Sequence, residues 1–276
     1  MEIKIVDKSF NTDEITINNV SYFIENICNI LEFSHNHIEK VIFADDENYG
    51  KEIKNIEPNE DYTNTSMATG FGKTIYLLDT NSNIIIIRSI IYIGIVKIIN
   101  KIYIDKLKVD NIDIQIILII LLHEIGHCIT NCKFRKSIYS KKYLHISLIP
   151  KYYFEIILDE FHANRSIVSL ISKDWVIYEL SNNYINEFNL LSKSLKCFSN
   201  NEYVQNIWYF FKRFMDIGAF LIDCNDNEYN KYLSKIEVPF DISILLDSFY
   251  KYNKTLISEN DLFIILSEIV KKIKGI

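Results

Sequence analysis

The residues of this chain best suited to do chemistry stand together as His123-Glu124-Ile125-Gly126-His127, directly after the nearly unbroken apolar run 114–122. On an α-helix, residues four apart sit almost above one another, so the imidazoles of His123 and His127 can converge on one ion while Glu124 lies beside it. Zinc is the ion this H-E-x-x-H pattern predicts. A catalytic zinc site takes neutral nitrogen ligands, keeps a position for water, and uses a nearby carboxylate to accept that water's proton. The apolar lead-in predicts a buried helix, on which packing rather than solvent fixes the imidazoles. A salt-bridged surface helix would not follow so apolar a run. A purely structural core helix would not carry two His and a Glu without partners for them.

Two His do not finish a catalytic zinc site, which usually takes three protein ligands. A carboxylate on a second helix completes it most economically, and Pro150 precedes a predicted helix from Lys151 to about Ser172. Glu160, Ala163 and Asn164 share one face of that helix, at i, i+3 and i+4, and the small Ala163 allows close approach of another helix. Gly126 offers the matching gap. Glu160 is the expected third ligand. Asn164 is expected to accept a hydrogen bond from the second nitrogen of a ligating His and so fix its tautomer. Glu155, Asp159 and His162 compete for the third position. Glu155 faces elsewhere, Asp159 points about 100° away, and His162 would make a three-His site.

These two segments, His123-Glu124-Ile125-Gly126-His127 and Glu160-Phe161-His162-Ala163-Asn164, resemble the gluzincin type of zinc metallopeptidase. Within that group they are most similar to the cytosolic ImmA/IrrE-like peptidases of bacteria and phages, with H-E-x-G-H followed by E-x-x-A-N or E-x-x-A-D. The resemblance covers residues 70–170. It implies an α+β fold with a zincin-like core, made of a small sheet, the H-E-x-x-H helix and a third-ligand helix. It also implies peptide-bond hydrolysis and, in some members, cleavage of a regulatory DNA-binding protein. Gluzincins often carry Asp where this chain has Asn164; a neutral amide orients the imidazole but raises its basicity less.

The expected reaction is hydrolysis of an intracellular protein or peptide, with Glu124 taking the proton of the attacking water and later passing it to the leaving amine. Tyr143, His145 and Tyr153 are candidates for the additional oxyanion donor. Two rival readings are a zinc-binding regulatory scaffold without activity and an intramembrane metalloprotease. Intact Glu124 argues against the first, since a structural site needs no base.

Composition bounds these readings. The chain has 276 residues, 49% hydrophobic and 24% charged, which fits a globular protein. A metallopeptidase domain over 1–172 and an all-helical region over 173–276 are expected. A net charge of −6 with interspersed Lys lacks the basic footprint that phosphate backbones require, so direct nucleic-acid binding is not expected. Five scattered Cys fit reduced thiols better than a disulfide framework, and Cys128 and Cys132 read as small buried residues. The start lacks the apolar core of a signal peptide. Arg88 and Lys97 break the apolar stretch 84–99, and 114–122 falls well short of the ~20 residues a span needs. A cytoplasmic location away from membranes is expected.

Around the motif, strands are predicted near Ile3 to Val6 and Val41 to Phe43, and a helix from Ile15 to Leu31. A loop is expected from Asp45 to Asn64. A hairpin is predicted with strands Lys73 to Asp79 and Ile84 to Ile90, whose edge could hold an extended peptide. The run from Ile91 to Tyr103 fits helix or strand. Thr69-Gly70-Phe71-Gly72-Lys73-Thr74 ends like a phosphate loop, but the required first Gly falls at Met67. His35 and His37 read as solvated loop residues. Helices are predicted for Trp175 to Leu191, Tyr203 to Ile222, Ile242 to Tyr252 and Asp261 to Ile273, with Trp208-Tyr209-Phe210-Phe211 packing as core.

Overall fold

The computed structural model describes residues 1–9, 13–58, 70–77, 79–99, 112–140, 151–171, 173–194, 200–221 and 225–237, together with Ile264 and Glu268. The helices expected at 242–252 and 261–273 otherwise lie outside the described residues. The fold is α+β: a small mixed sheet and a larger number of helices. The chain divides into two compact units, Met1–Cys132 with Leu170–Ser172, and Lys133–Ser169 with Lys173–Ile276. Among the described residues, no helix is long and apolar enough to cross a membrane.

The first unit is built on a sheet of β1 (Glu2–Val6), β2 (Ile38–Ala44), β4 (Ser82–Arg88) and β3 (Gly72–Leu77), in the order β1-β2-β4-β3. The first three are parallel, and β3 runs antiparallel along one edge. Ile84 to Ile87 are all buried, as expected of a central strand covered on both faces. On one face, Ile42, Ala44, Ile75, Ile84 and Ile86 pack with Tyr49 and Ile53 of α2 (Asp46–Ile56). The opposite face carries Val41, Phe43, Ile85 and Ile87, by the two-residue alternation of a strand. It meets α1 (Glu14–Ile30) and α3 (Ser89–Ile99), with Phe43 against Tyr92 at 5.1 Å.

Helix α2 corrects the expected loop. Its apolar stripe is Tyr49, Ile53 and the partly buried Ile56 at its last position, short and set in a polar segment that reads as loop. The local signal is the cap: Asp45 accepts the Asn48 N–H at 2.8 Å, and acids fill the first turn. The predicted hairpin is present, with Asn81 at φ 56° in its turn, a left-handed conformation that Asn tolerates. Its return strand ends at Arg88, where α3 begins, so the ambiguous run after Ile91 is helical to Ile99. His35 and His37 lie in a single 3₁₀ turn.

Buried Arg88 fixes the lead into β3. Its backbone N–H reaches the Phe71 carbonyl at 2.9 Å and its Nε the Gly70 carbonyl at 2.8 Å. The guanidinium pairs with Asp46 and lies 4.7 Å from the Tyr49 ring centroid. Position 72 is thereby set where the strand begins.

Helix α4 (Ile112–Ser140) carries the motif. Leu118, Leu121, Leu122, Ile125, Cys128 and Ile129 are buried at i, i+3, i+4, i+7 spacing, which makes one stripe of the helix core. Gly94 of α3 permits the approach: a Cβ there would stand 2.5 Å from Ile117 Cδ1.

The second unit is helical among its described residues. It comprises α5 (Lys151–Ile167), α6 (Lys173–Glu179), α7 (Ile185–Ser194), α8 (Asn200–Leu221) and α9 (Asp226–Leu233). A π-helical turn, Leu180–Tyr184, joins α6 to α7. Phe188 stacks on Phe210 at 4.6 Å, and Phe210, Phe211, Phe214 and Phe220 are buried core, whereas Tyr209 is half-buried and the Trp208 side chain lies outside the described set. Helix α5 packs along α8.

Candidate metal centre

His123 and His127 are half-buried on successive turns of α4, with Nε2 atoms 3.0 Å apart and rings nearly perpendicular at 85°. Two ligand nitrogens each ~2.05 Å from a tetrahedral zinc stand about 3.3 Å apart, so a small ring rotation adapts this pair to an ion. Imidazole is a neutral ligand well matched to such an ion, and the buried stripe either side of the pair fixes its backbone.

Glu124 is 5% exposed and held from β3. The Thr74 hydroxyl lies 2.8 Å from Glu124 Oε2 and 3.0 Å from its carbonyl oxygen, sharing one proton between them. A Cβ at Gly72 would stand 2.5 Å from Glu124 Oε1 and 2.7 Å from its Cγ, so only glycine leaves this carboxylate its place. The segment that imitates a phosphate loop is therefore the seat of Glu124. Thr74 and Gly72 are the site residues that sequence reasoning missed. The available signal was a Gly and a Thr two apart on an edge strand just ahead of the motif helix.

Beyond His127, the helix is tied to β4. Asn131 Nδ2 donates to Asn83 Oδ1 at 2.9 Å, and Asn83 Nδ2 donates to the His37 carbonyl at 3.0 Å. Cys128 is fully buried; desolvation raises its thiol pKa far above the ordinary value, the nearby Glu124 charge raises it further, and a Thr74 hydrogen bond opposes both only in part. Burial raises Cys132 as well, against a hydrogen bond from Asn83. Both thiols are thus held in the protonated form at neutral pH; Cys128 is buried as expected, whereas Cys132, expected to be buried, is half-buried.

In the second unit, Glu160 lies on α5 with Oε2 accepting from Lys212 Nζ of α8 at 2.7 Å. Burial works to lower the Lys212 pKa, but Asp216 and Glu160 outweigh it and the ammonium is held above its ordinary value. One turn on from Glu160, Asn164 donates its amide N–H to Asp216 Oδ1 at 2.8 Å, which makes Oδ1 the amide's acceptor end. Ala163 is buried. Of the competitors, His162 is 1% exposed with its ring edge-on to Phe161 at 5.5 Å. Asp159 is half-buried. Glu155 and Tyr153 are on α5, with side chains outside the described set, and Tyr143 and His145 also lie outside the described residues. Lys212 and Asp216 were not foreseen; the signal was charge inside an aromatic helix, where an ion needs a partner.

His123 and His127 in the first unit offer imidazole nitrogens and Glu160 in the second a carboxylate oxygen, each a donor of the kind that metal ions take. Compared with known proteins, the chain matches no family model, no curated protein and no solved structure.

Proposed function

We propose that this protein is a zinc-dependent endopeptidase with a zincin-like core, acting on an intracellular protein substrate. Zinc is held in this reading by His123, His127 and Glu160. The observation that carries it is the pairing of two facing imidazole nitrogens with an almost fully buried glutamate beside them. A metal held only for structure has no use for a carboxylate so placed. When bound, the ion supplies Lewis acidity, easing deprotonation of water and polarising the scissile carbonyl.

The chain's own residues do the rest. Thr74 orients the Glu124 carboxylate through Oε2, Gly72 leaves room for Oε1, and that carboxylate takes the proton of the attacking water. Glu124 then returns the proton to the leaving amine, so one carboxylate serves as base and then acid. The edge strand β3, paired with β4 alone among the described residues, is the place for an extended substrate to add main-chain hydrogen bonds beside Glu124. Asn164 orients the imidazole of one ligand through Oδ1.

Glu124→Gln tests the reading. Zinc-loaded wild type should cleave a quenched-fluorescent peptide library, and the variant should lose that cleavage while binding zinc as before. A variant that cleaves at the wild-type rate would remove Glu124 as base. Zinc binding with no cleavage by wild type would instead favour a regulatory scaffold.

A further inference from the structure

Helix α8 packs Phe210, Phe211, Phe214 and Met215 into the core, yet carries Lys212, Arg213 and Asp216 among them. Asp216 is 1% exposed. A carboxylate so deeply buried persists only where donors meet its oxygens. Here Asn164 donates to Oδ1 at 2.8 Å, Arg213 donates to Oδ2 at 3.0 Å, and the Lys212 ammonium stands 3.7 Å from Oδ2. Arg213 is in turn balanced by Glu187 and lies 4.7 Å from the Tyr184 ring centroid.

Two of these three partners of Asp216 lead back to α5. Asn164 is on that helix itself, and Lys212 donates onward to Glu160 Oε2 at 2.7 Å. Packing alone does not account for this arrangement, since an apolar side chain at 216 would fill the space without the cost of desolvating a charge. What a carboxylate at 216 adds is a fixed orientation for two groups one helical turn apart, at 160 and 164.

We propose that Asp216 is a positioning residue of the metal centre, fixing Asn164 directly and Glu160 through Lys212. The inference rests on Glu160 being a metal ligand, as in the function proposed above. With Oε2 engaged by Lys212, the Glu160 carboxylate is held in one orientation on α5. By sharing the ammonium charge, Asp216 also keeps Lys212 from acting as a rival cation on Glu160. Asn164, with its amide N–H on Asp216, turns Oδ1 toward its acceptor role.

Zinc affinity in the full chain, by competition with a chromophoric chelator, and the visible spectrum of the cobalt-substituted protein test this. Asp216→Asn and Lys212→Met should each weaken zinc binding roughly 10- to 100-fold and shift the cobalt bands, with far-ultraviolet circular dichroism unchanged. Lys212→Arg, which restores the charge, should recover most of that loss. Zinc affinity unchanged or higher in both variants, with a wild-type cobalt spectrum, would overturn the inference, even if the variants melt earlier. If Asp216→Asn does not fold, Lys212→Met decides by the same criteria. The two layers separate cleanly. Wild type that binds no zinc removes the metal reading and this inference with it, whereas loss of zinc in Glu160→Gln but not in Asp216→Asn or Lys212→Met removes this inference alone.

Discussion

Glu124 lies one residue from His123 on the same helix, about 100° round from it, and that angle separates a base from a ligand. The role proposed for it depends on where Thr74 and Gly72 hold its two oxygens. Thr74→Val keeps the side-chain volume but removes the hydroxyl from Oε2. It should lower kcat by about tenfold with little change in KM, as loss of an orienting contact does. Steady-state kinetics check this, and unchanged kcat would contradict it. Gly72→Ala should be harsher, because its Cβ meets both Oε1 and Cγ of Glu124. A loss of activity of roughly 100-fold is expected, larger than any effect on zinc affinity. The H-E-x-x-H residues were legible in sequence because helical geometry ties their chemistry to local spacing. Thr74 was not: its partner is 50 positions along, and only the fold makes them neighbours.

Among the elements, the hairpin, the motif helix and the helix preceded by Pro150 could all be read from local pattern, since turn chemistry and a long apolar stripe are short-range signals. Helix α2 could not, because its stripe is only Tyr49, Ile53 and Ile56 and the polar, acid-rich residues around them look like loop. Its cap is the part with measurable weight. Asp45→Ala removes the acceptor for Asn48 N–H and should cost about 1 kcal/mol of stability in urea unfolding. A loss indistinguishable from zero would mean that packing of Tyr49 and Ile53 sets the helix start without the cap. For α4, Leu121 has no exposed surface, and Leu121→Ala should cost about 2–5 kcal/mol. Because the same stripe holds the imidazoles, zinc affinity should fall with it. Retained affinity at reduced stability would show that the His pair is fixed by something other than α4 packing.

Across the whole molecule, stability should respond to alkaline pH through the buried thiols of the first unit. Desolvation, reinforced by the Glu25 charge, pushes Cys28 up to about 12 from an ordinary 9.0. A proton bound more tightly in the folded than in the unfolded chain gives stability that is whole below pH 9 and lost as pH rises toward 12. The loss from this one group is on the order of 4 kcal/mol at the top of the window. Denaturant midpoints should therefore fall from about pH 9 upward toward about pH 12, and fall less steeply in Cys28→Ala. Identical slopes in the two proteins would contradict this. Burial of Cys128 could be anticipated from residue type alone, Cys132 is less buried than that type suggests, and the thiol shifts depend on packing by α1 and β3 that no local pattern reports.

The most direct test of the account is the metal content of the purified protein after zinc loading and desalting, measured by plasma mass spectrometry on wild type, His123→Ala, His127→Ala and Glu124→Gln. A single zinc per chain in wild type and Glu124→Gln, and none in either histidine variant, is the expected result. Zinc retained in full by His123→Ala and His127→Ala, or absent from wild type, would contradict it.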